Sequence, residues 1–362
     1  MTRARPTENP DIDLGPLAER IPEALRAQTA YHVPLPPQLV AKLDANELPY
    51  TLPAELRAKV GAALAEVQLE RYPDPRASRL RAIVARQLGV AGKQLVFGNG
   101  SDELIGMLCA AFAGPILYPT PTFVYYRLAA VARGLPLVEV PLTARFELDE
   151  AALLAAIAEH KPSVVFLALP NNPTGTLWRM HFACELADKH PDTVIVSDEA
   201  YVAYSGVSNL GALPAHPNLV VMRTLSKLGM AGLRLGFTIS SAAVARVLEK
   251  VRPPYNVSAL DQRAAEVLLD AAAPWCAARA ADVVRERARL ADALTALGVE
   301  VFPSAANLVL AKVTDAPGTY ATLAAAGISV RAFGAGPLAD CLRITVGTPE
   351  ETDALLAAWP TT

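Results

Sequence analysis

Residues 193–201 read TVIVSDEAY, and residues 219–227 read LVVMRTLSK. Each stretch begins with apolar residues rich in valine and isoleucine, which is the composition of a strand that is buried on both faces of a parallel sheet. A charged group follows each run, Asp198 in the first stretch and Lys227 in the second. In open α/β sheets, ligands bind beyond the carboxyl ends of the strands. The two stretches therefore predict an α/β fold with its chemistry at that edge of the sheet.

Similar apolar runs recur along the chain and alternate with patterns rich in alanine, leucine and arginine at helical spacing. The predicted strands of this part are 94–97, 115–118, 137–140, 163–169, 193–197, 219–223 and 235–240. The predicted helices are 53–67, 78–88, 101–112, 149–159, 178–190 and 275–297. Such alternation is typical of crossover connections on a mostly parallel sheet, here of seven strands.

The pattern changes after the Pro253–Pro254 pair, where long helices are followed by short strands at 307–313, 328–331 and 342–346. A chain of this length usually forms more than one domain. We predict an N-terminal arm over residues 1–44, a large domain over 45–252, and a smaller α+β domain over 253–362 that also includes part of the arm.

The composition is that of a folded protein without a strong charge preference. The 362 residues are 52% hydrophobic and 19% charged, and the formal net charge is −3. This leaves ample apolar material for a packed core. No excess of positive charge would attract nucleic acid or anionic lipid. We therefore predict neither nucleic acid nor membrane as a partner.

Two features of the sequence bear on location in the cell. Residues 104–126 carry no charge and are long enough to cross a bilayer, but glycine and proline interrupt them. That interruption predicts a helix, a buried strand and turns rather than a membrane span. The first 20 residues mix charges with prolines and lack the apolar run of a signal peptide, so a cytoplasmic protein is expected.

Cysteine and histidine spacing gives no sign of a metal centre. The four cysteines are far apart without a C-x-x-C pair, which predicts buried thiols rather than a disulfide framework or a zinc site. The five histidines show no H-E-x-x-H spacing. We predict no metal site.

Two further loops follow predicted strands. GNGSDE at 98–103 opens a helix whose free N–H groups can hold a phosphate, and PNNPTG at 170–175 reads as a turn. Taken alone, each loop has an ordinary explanation: Ser101 or Asp198 caps a helix, and Lys227 is solvated. Taken together, the loops supply a lysine for a Schiff base, a carboxylate for a pyridinium nitrogen and donors for a phosphate. Those are the groups that pyridoxal phosphate needs.

The order of these motifs resembles a known enzyme family. GNGSDE, NNPTG, DEAY and a serine–lysine pair followed by arginine after six residues are similar to the fold-type I aminotransferases of classes I and II. Further segments are similar to histidinol-phosphate aminotransferases: DANELPY at 44–50, RYPDP at 71–75, VRPPYNV at 251–257 and GISVR at 327–331. The resemblance covers the chain from about residue 20 to the end, and it implies the pyridoxal-phosphate-dependent transferase fold of type I.

The resemblance implies a role for each residue around the cofactor ring. Lys227 forms the Schiff base and then moves the proton, and Asp198 pairs with the pyridine nitrogen. Tyr201 and Asn172 donate hydrogen bonds to the ring oxygen, while Phe123 stacks on the ring face.

The phosphate and substrate groups are also implied. Ser101, Asp102, Ser226 and Arg234 hold the cofactor phosphate, although the seven-residue spacing from Lys227 to Arg234 is one shorter than in many members of the wider superfamily. Tyr72 reaches the same phosphate from the other subunit, which implies a homodimer with shared sites; the alternative is a tyrosine that packs locally in a proline-rich turn.

For the substrates, the resemblance implies that Arg343 binds the carboxylate of the amino or oxo acid, because a guanidinium fits that planar anion. Arg331, Tyr31 and Asn46 are the candidates for the histidinol-phosphate end. For Arg331 and Tyr31, an ordinary surface or packing role is the alternative.

The implied reaction is reversible amino transfer between L-histidinol phosphate and 2-oxoglutarate, giving imidazole acetol phosphate and glutamate in L-histidine biosynthesis. An aromatic-amino-acid aminotransferase or a threonine-phosphate decarboxylase would share every cofactor residue, so these remain alternatives. A regulator that senses pyridoxal phosphate is disfavoured, because no basic patch is present to bind DNA.

Overall fold

The computed structural model of the protein describes residues 15–26 and 38–360. Their three sheets contain seven, four and two strands. The strands of the large sheet, in spatial order, are Leu95–Asn99, Leu235–Ser240, Leu219–Thr224, Val194–Asp198, Val164–Ala168, Ile116–Thr120 and Leu137–Pro141. Leu235–Ser240 runs antiparallel to both of its neighbours, and the other neighbouring pairs are parallel. The predicted α/β fold with a mostly parallel seven-stranded sheet is confirmed.

Helices cover both faces of the large sheet, which explains why its strands are continuous apolar runs. In the strand Val164–Ala168, Val165 and Leu167 belong to one hydrophobic core, whereas Val164 and Phe166 belong to a second core on the other face. A strand buried on both faces has no position at which a polar side chain would be solvated. In the strand Val194–Asp198, the charged residue accordingly lies at the end of the strand.

Each of the six predicted helices corresponds to an α-helix of the described residues, which contain thirteen. They are Glu23–Arg26, Ala54–Ala65, Ser78–Leu88, Gly100–Ala111, Tyr125–Val131, Glu150–His160, Phe182–Lys189, Val202–Ser205, Ala242–Val251, Ala259–Ala271, Ala273–Ala296, Ala316–Ala325 and Pro349–Ala357. The other seven were not predicted. One of them, Ala316–Ala325, begins with an Ala-Pro-Gly sequence, and proline is tolerated there because the first helical N–H groups have no partner within the helix.

The C-terminal part contains an antiparallel sheet with the spatial order Arg331–Ala332, Cys341–Thr345, Leu308–Lys312 and Glu300–Val301. The predicted strand 328–331 is in fact two short strands in different sheets. Its first half, Ile328–Ser329, pairs in parallel with Ala41–Lys42 near the N-terminal end of the described chain. The second half, Arg331–Ala332, pairs with Cys341–Thr345.

The domain division stays a prediction, but the packing of one helix bears on it. Ala259–Ala271 contacts the helices Ala54–Ala65 and Ser78–Leu88. Its residues Ala265 and Leu268 lie in a hydrophobic core of the large sheet. This helix therefore packs as part of the large unit although it follows Pro253–Pro254.

The four cysteines are buried and free. Within the described residues, no helix is both long enough and apolar enough to cross a membrane.

Candidate active site

A cavity of about 200 Å³ lies at the carboxyl ends of the parallel strands. Five strands of the large sheet end beside it, and their following loops supply most of its walls; the N-terminal segment and the small sheet supply the rest. Its lining residues are Ala45, Asn46, Ser101, Asp102, Phe123, Asn172, Asp198, Ala200, Tyr201, Thr224, Ser226, Lys227, Arg234 and Arg343. The fold thus brings together eleven of the residues that the sequence singled out.

Lys227 lies in a single 3-10 turn, Ser226–Leu228, that follows the strand Leu219–Thr224. Its Nζ donates a hydrogen bond to the Ala45 carbonyl at 3.3 Å, and its own carbonyl accepts one from the Tyr204 hydroxyl. Burial, followed by the positive charge of Arg343, lowers the pKa of Lys227 to about 8. The neutral amine that a nucleophile or a general base requires is therefore more populated near neutral pH than it is for a solvated lysine.

Asp198 is the last residue of its strand and is only 5% exposed. Both carboxylate oxygens accept hydrogen bonds: Oδ2 from the Tyr126 hydroxyl at 2.6 Å and Oδ1 from the Ala200 N–H at 3.1 Å. Burial raises the pKa of Asp198 to about 6, while these two hydrogen bonds act in the opposite direction. The carboxylate is therefore held in place, and a cation in the cavity would stabilise its ionised form.

Tyr201 and Asn46 form a buried pair. The Asn46 Nδ2 donates to the Tyr201 hydroxyl oxygen at 2.9 Å, and the Thr345 hydroxyl donates to the Asn46 Oδ1 at 3.1 Å. This arrangement fixes which way the Asn46 amide faces, and it leaves the phenolic proton of Tyr201 free to be donated. Burial raises the pKa of Tyr201 to about 12, so the phenol is neutral.

Asn172 is oriented in a similar way by Arg343. The Arg343 Nη1 donates to the Asn172 Oδ1 at 2.8 Å, and its Nη2 donates to the Asp44 carbonyl. Because a guanidinium only donates, the Asn172 oxygen must face it, and the Nδ2 of the amide remains a donor. Arg343 comes from the small sheet, so the cavity depends on contacts between the two sheets.

Four side chains and a helix N-terminus form an anion cradle, defined by Ser101, Asp102, Ser226 and Arg234 with the first turn of Gly100–Ala111. Arg234 Nη2 lies 2.9 Å from Asp102 Oδ2, and Arg234 has a left-handed φ of 46°. Despite the short spacing from Lys227, Arg234 lines the cavity. Free N–H groups and an arginine make this cradle suitable for a phosphate.

Glycine is required where the cradle is most tightly packed. A Cβ atom on Gly236 would lie 2.9 Å from the backbone of Gly100 and Ser101, and a Cβ on Gly100 would lie 2.8 Å from Arg234 Nη2. Gly100 also has a φ of 80°, which disfavours other residues. The cradle is therefore shaped by the absence of side chains as well as by its donors.

The model of the family described as aminotransferase class I and II matches residues 39–358. The chain belongs to this family. The aminotransferase is also 45% identical to the histidinol-phosphate aminotransferase of Methylibium petroleiphilum over 95% of both chains. Its identity to histidinol-phosphate aminotransferase 1 of Ralstonia nicotianae is 45%, over 95% of this chain and 94% of the other.

Solved structures give the same fold. The histidinol-phosphate aminotransferase of Sinorhizobium meliloti, in complex with pyridoxal-5'-phosphate, superposes with a TM-score of 0.81 at 26% identity, over 88% of this chain and 89% of the other. An aspartate aminotransferase of Thermus thermophilus superposes with a TM-score of 0.77 at 22% identity, over 93% and 98% of the two chains. The predicted family and fold type are confirmed.

Three residues singled out from the sequence of the aminotransferase are not part of the cavity wall. Tyr72 is 81% exposed, and its ring stacks on Tyr255 with centroids 4.6 Å apart. Arg331 is half-buried and lies in the strand next to that of Arg343. Tyr31 lies outside the described residues.

Sequence reasoning missed Thr224 and Tyr126 in this aminotransferase. Thr224 is the last residue of its strand, and its hydroxyl donates to the Ser226 hydroxyl at 3.0 Å. Examining the residues at the end of each strand, which identified Asp198, would also have identified Thr224. Tyr126 contacts Asp198 from a helix 72 residues earlier in the chain. No local pattern identifies a partner at that separation.

Proposed function

We propose that this aminotransferase is a histidinol-phosphate aminotransferase, which transfers an amino group between L-histidinol phosphate and 2-oxoglutarate in L-histidine biosynthesis. The products are imidazole acetol phosphate and glutamate. The observation that carries the proposal is the 45% identity, over 95% of both chains, to a relative of that name. Small-molecule substrates agree with a cavity of about 200 Å³.

The cofactor that we propose is pyridoxal phosphate. When bound, it supplies a ring that withdraws electrons from the substrate carbon bearing the amine. The residues of the cavity fit the group: Lys227 would hold it covalently, Asp198 would face its ring nitrogen, and the anion cradle would hold its phosphate. The close approach of Gly236 to the helix N-terminus supports this fit, since a side chain there would displace the cradle.

Lys227 is the residue that we assign to proton movement. Burial and Arg343 lower the pKa of its Nζ to about 8, which favours the neutral amine that can accept a proton from the substrate carbon. The hydrogen bond from Nζ to the Ala45 carbonyl orients the amine, and the Tyr204 hydroxyl holds the backbone of Lys227 by donating to its carbonyl. Removing Lys227 would therefore remove both the covalent attachment and the base.

Three side chains would orient the ring. Asp198 presents a fixed carboxylate to the ring nitrogen and favours its protonated form. Tyr201 and Asn172 would each donate a hydrogen bond to the ring oxygen, because Asn46 and Arg343 occupy their other hydrogen-bonding positions. Phe123, which lines the cavity, would pack against the ring face.

For the substrates, Arg343 would bind the carboxylate of glutamate or 2-oxoglutarate. Arg331, Tyr31 and Asn46 remain the proposed residues of the histidinol-phosphate end. The hydrogen bond from Asn46 to Tyr201 supports an additional role for Asn46 in holding Tyr201. We further propose a cytoplasmic homodimer in which Tyr72 reaches the cofactor phosphate of its partner.

The test is a side-by-side transamination assay with glutamate as the donor and imidazole acetol phosphate, or phenylpyruvate, as the acceptor. We expect kcat/KM for imidazole acetol phosphate to be higher by about ten-fold or more, since specificity is a ratio of these values. The Lys227→Ala variant is the control for background reaction. A higher value with phenylpyruvate would instead assign an aromatic-amino-acid aminotransferase, and carbon dioxide release from threonine phosphate would assign a decarboxylase.

A further inference from the structure

Tyr126 is a fully buried tyrosine whose hydroxyl contacts a residue of the candidate active site, Asp198, although Tyr126 does not itself line the cavity. It lies in the helix Tyr125–Val131, has an exposed fraction of 0%, and donates a 2.6 Å hydrogen bond to the Asp198 Oδ2. A buried hydroxyl without a hydrogen-bonding partner destabilises the folded state. The hydrogen bond to Asp198 avoids that cost.

The ring of Tyr126 is held on two sides. It stacks on Phe166 with centroids 4.6 Å apart and an interplanar angle of 8°, and its edge meets Phe123 at 5.7 Å and 89°. Phe123 itself lines the cavity. Because aromatic contacts of this kind fix the ring, the position of the hydroxyl is set by packing rather than by the carboxylate that it contacts.

The carboxylate of Asp198 is thereby held at both oxygens. Tyr126 donates to Oδ2, and the Ala200 N–H donates to Oδ1. An ionised carboxylate has about four acceptor positions, so two hydrogen bonds leave room for a further donor in the cavity. Both hydrogen bonds favour the ionised form, since they lower the pKa of Asp198 against the effect of burial.

Other charged groups near Asp198 do not replace this contact. Those that face the carboxylate or line the same cavity are Glu199, Asp102, Tyr201, Lys227, Arg234 and Arg343. Glu199 and Asp102 disfavour the ionised form, and Glu199 is itself paired with Arg223 at 2.9 Å. Among the described residues, it is Tyr126 that donates a side-chain hydrogen bond to the Asp198 carboxylate.

We propose that Tyr126 is a positioning residue for Asp198: its hydroxyl orients the carboxylate toward the cofactor ring and keeps it anionic. This inference rests on the proposed function, because it assumes that Asp198 meets the pyridine nitrogen. Tyr126 itself does not line the cavity. Its effect on the reaction must therefore pass through Asp198.

The test compares Tyr126→Phe with a matched control, Tyr118→Phe. Tyr118 is also buried in the same hydrophobic core and donates a 2.6 Å hydrogen bond to a carboxylate, but that carboxylate is Glu139 and not Asp198. For each protein, the dissociation constant of pyridoxal phosphate is measured against pH, together with kcat and KM for glutamate.

We expect Tyr126→Phe to lower kcat about ten-fold or more with little change in KM, because a hydrogen bond to a charged group is lost. Pyridoxal phosphate should bind more weakly at low pH, where Asp198 is protonated; we call this loss of affinity the acid limb. Its midpoint should move to higher pH by about one unit in Tyr126→Phe, since the donor that favours the ionised carboxylate is gone. The Tyr118→Phe control should keep the wild-type limb. Titration of the cofactor's own phosphate is common to both variants and cancels in the comparison.

A double-mutant cycle tests whether the effect passes through Asp198. Adding Tyr126→Phe to Asp198→Asn should cause little further loss of kcat. Additive losses would overturn the inference, and so would a Tyr126→Phe variant that behaves like Tyr118→Phe. Either result leaves the proposed function intact, provided that the wild-type protein binds pyridoxal phosphate. Failure of the wild-type protein to bind it would overturn both.

If Tyr126→Phe does not fold, 3-fluorotyrosine incorporated at position 126 keeps the side-chain shape and makes the phenol a stronger donor. The acid limb should then move to lower pH. An unchanged limb would overturn the inference.

Discussion

Arg331 and Arg343 lie directly opposite each other in two antiparallel strands of the small sheet. Residues paired in this way project from the same face, and like charges there repel. Arg343 lines the cavity, so Arg331 places a second cation beside it. Two adjacent arginines suit a site for two differently charged substrates, since one can bind the carboxylate of glutamate and the other the phosphate of the second amine.

Arg331→Lys should lower kcat/KM for histidinol phosphate by about ten-fold to a hundred-fold and affect phenylalanine much less. Lysine keeps the charge but loses the planar fork, at about 1–3 kcal/mol for charge-assisted hydrogen bonds. Steady-state kinetics with both amines measure the difference. Equal losses for the two amines would remove Arg331 from phosphate recognition.

Covalent capture of pyridoxal phosphate by the cofactor-free protein should depend on pH through Lys227. Only the neutral amine attacks the aldehyde, and the pKa of Lys227 is lowered from 10.5 to about 8. The capture rate should therefore rise with pH and level off above about 8. Arg343→Gln should move the midpoint to higher pH, because it removes a positive charge that lowers this pKa.

Stopped-flow absorbance measures the capture rate, and borohydride reduction followed by peptide mapping identifies the lysine. Lys227→Ala is the control, and it should still bind the cofactor without a covalent bond. An adduct on another lysine would refute the assignment.

Asp198→Asn should reduce transamination by orders of magnitude without weakening the fold. The pKa of Asp198 is raised from 3.8 to about 6 in the folded protein. Its contribution to stability is thus fully present below about pH 4 and lost as pH rises through about 6. Relative to the variant, the cofactor-free wild-type protein should lose about 1–3 kcal/mol of unfolding free energy over that interval.

Urea unfolding of both proteins at several pH values measures this difference. Parallel stability curves would show that Asp198 does not titrate in this range. A variant with near-normal kcat would show that ring protonation does not depend on Asp198.

Gly236→Ala should weaken both the fold and the binding of pyridoxal phosphate. The new Cβ would lie 2.9 Å from backbone atoms of Gly100 and Ser101, so the helix N-terminus must shift. Such overpacking costs about 1–3 kcal/mol. Gly232→Ala is the matched control, since no heavy atom lies within 4 Å of its added Cβ and its stability should change by less than about 0.5 kcal/mol. Equal stability of the two variants would argue against a tightly packed cradle.

Mixing the inactive variants Tyr72→Ala and Lys227→Ala should restore activity if Tyr72 acts across a dimer interface. One site of each mixed dimer then contains both native residues, which gives about a quarter of the wild-type activity after random exchange. The exposure of Tyr72 in the single chain agrees with a role outside its own subunit. An active monomer in ultracentrifugation, or no recovery on mixing, would refute shared sites.

The sequence by itself determined the sheet and the residues at its edge. Strands buried on both faces are mostly apolar runs, so polar residues that follow them, such as Asp198 and Lys227, were located by chain position alone. The motif order then identified the family, which the match over residues 39–358 confirms.

Only the tertiary structure decided which distant groups meet. Asn46 contacts Tyr201 across 155 residues, Arg343 contacts Asn172 across 171, and the predicted strand 328–331 divides between two sheets. Local patterns reflect the preferences of neighbouring residues, whereas these contacts depend on how separate elements pack. The sequence therefore identified which chemical groups belong to the site. Tertiary packing determined which of them form hydrogen bonds with each other and how far burial shifts their pKa values.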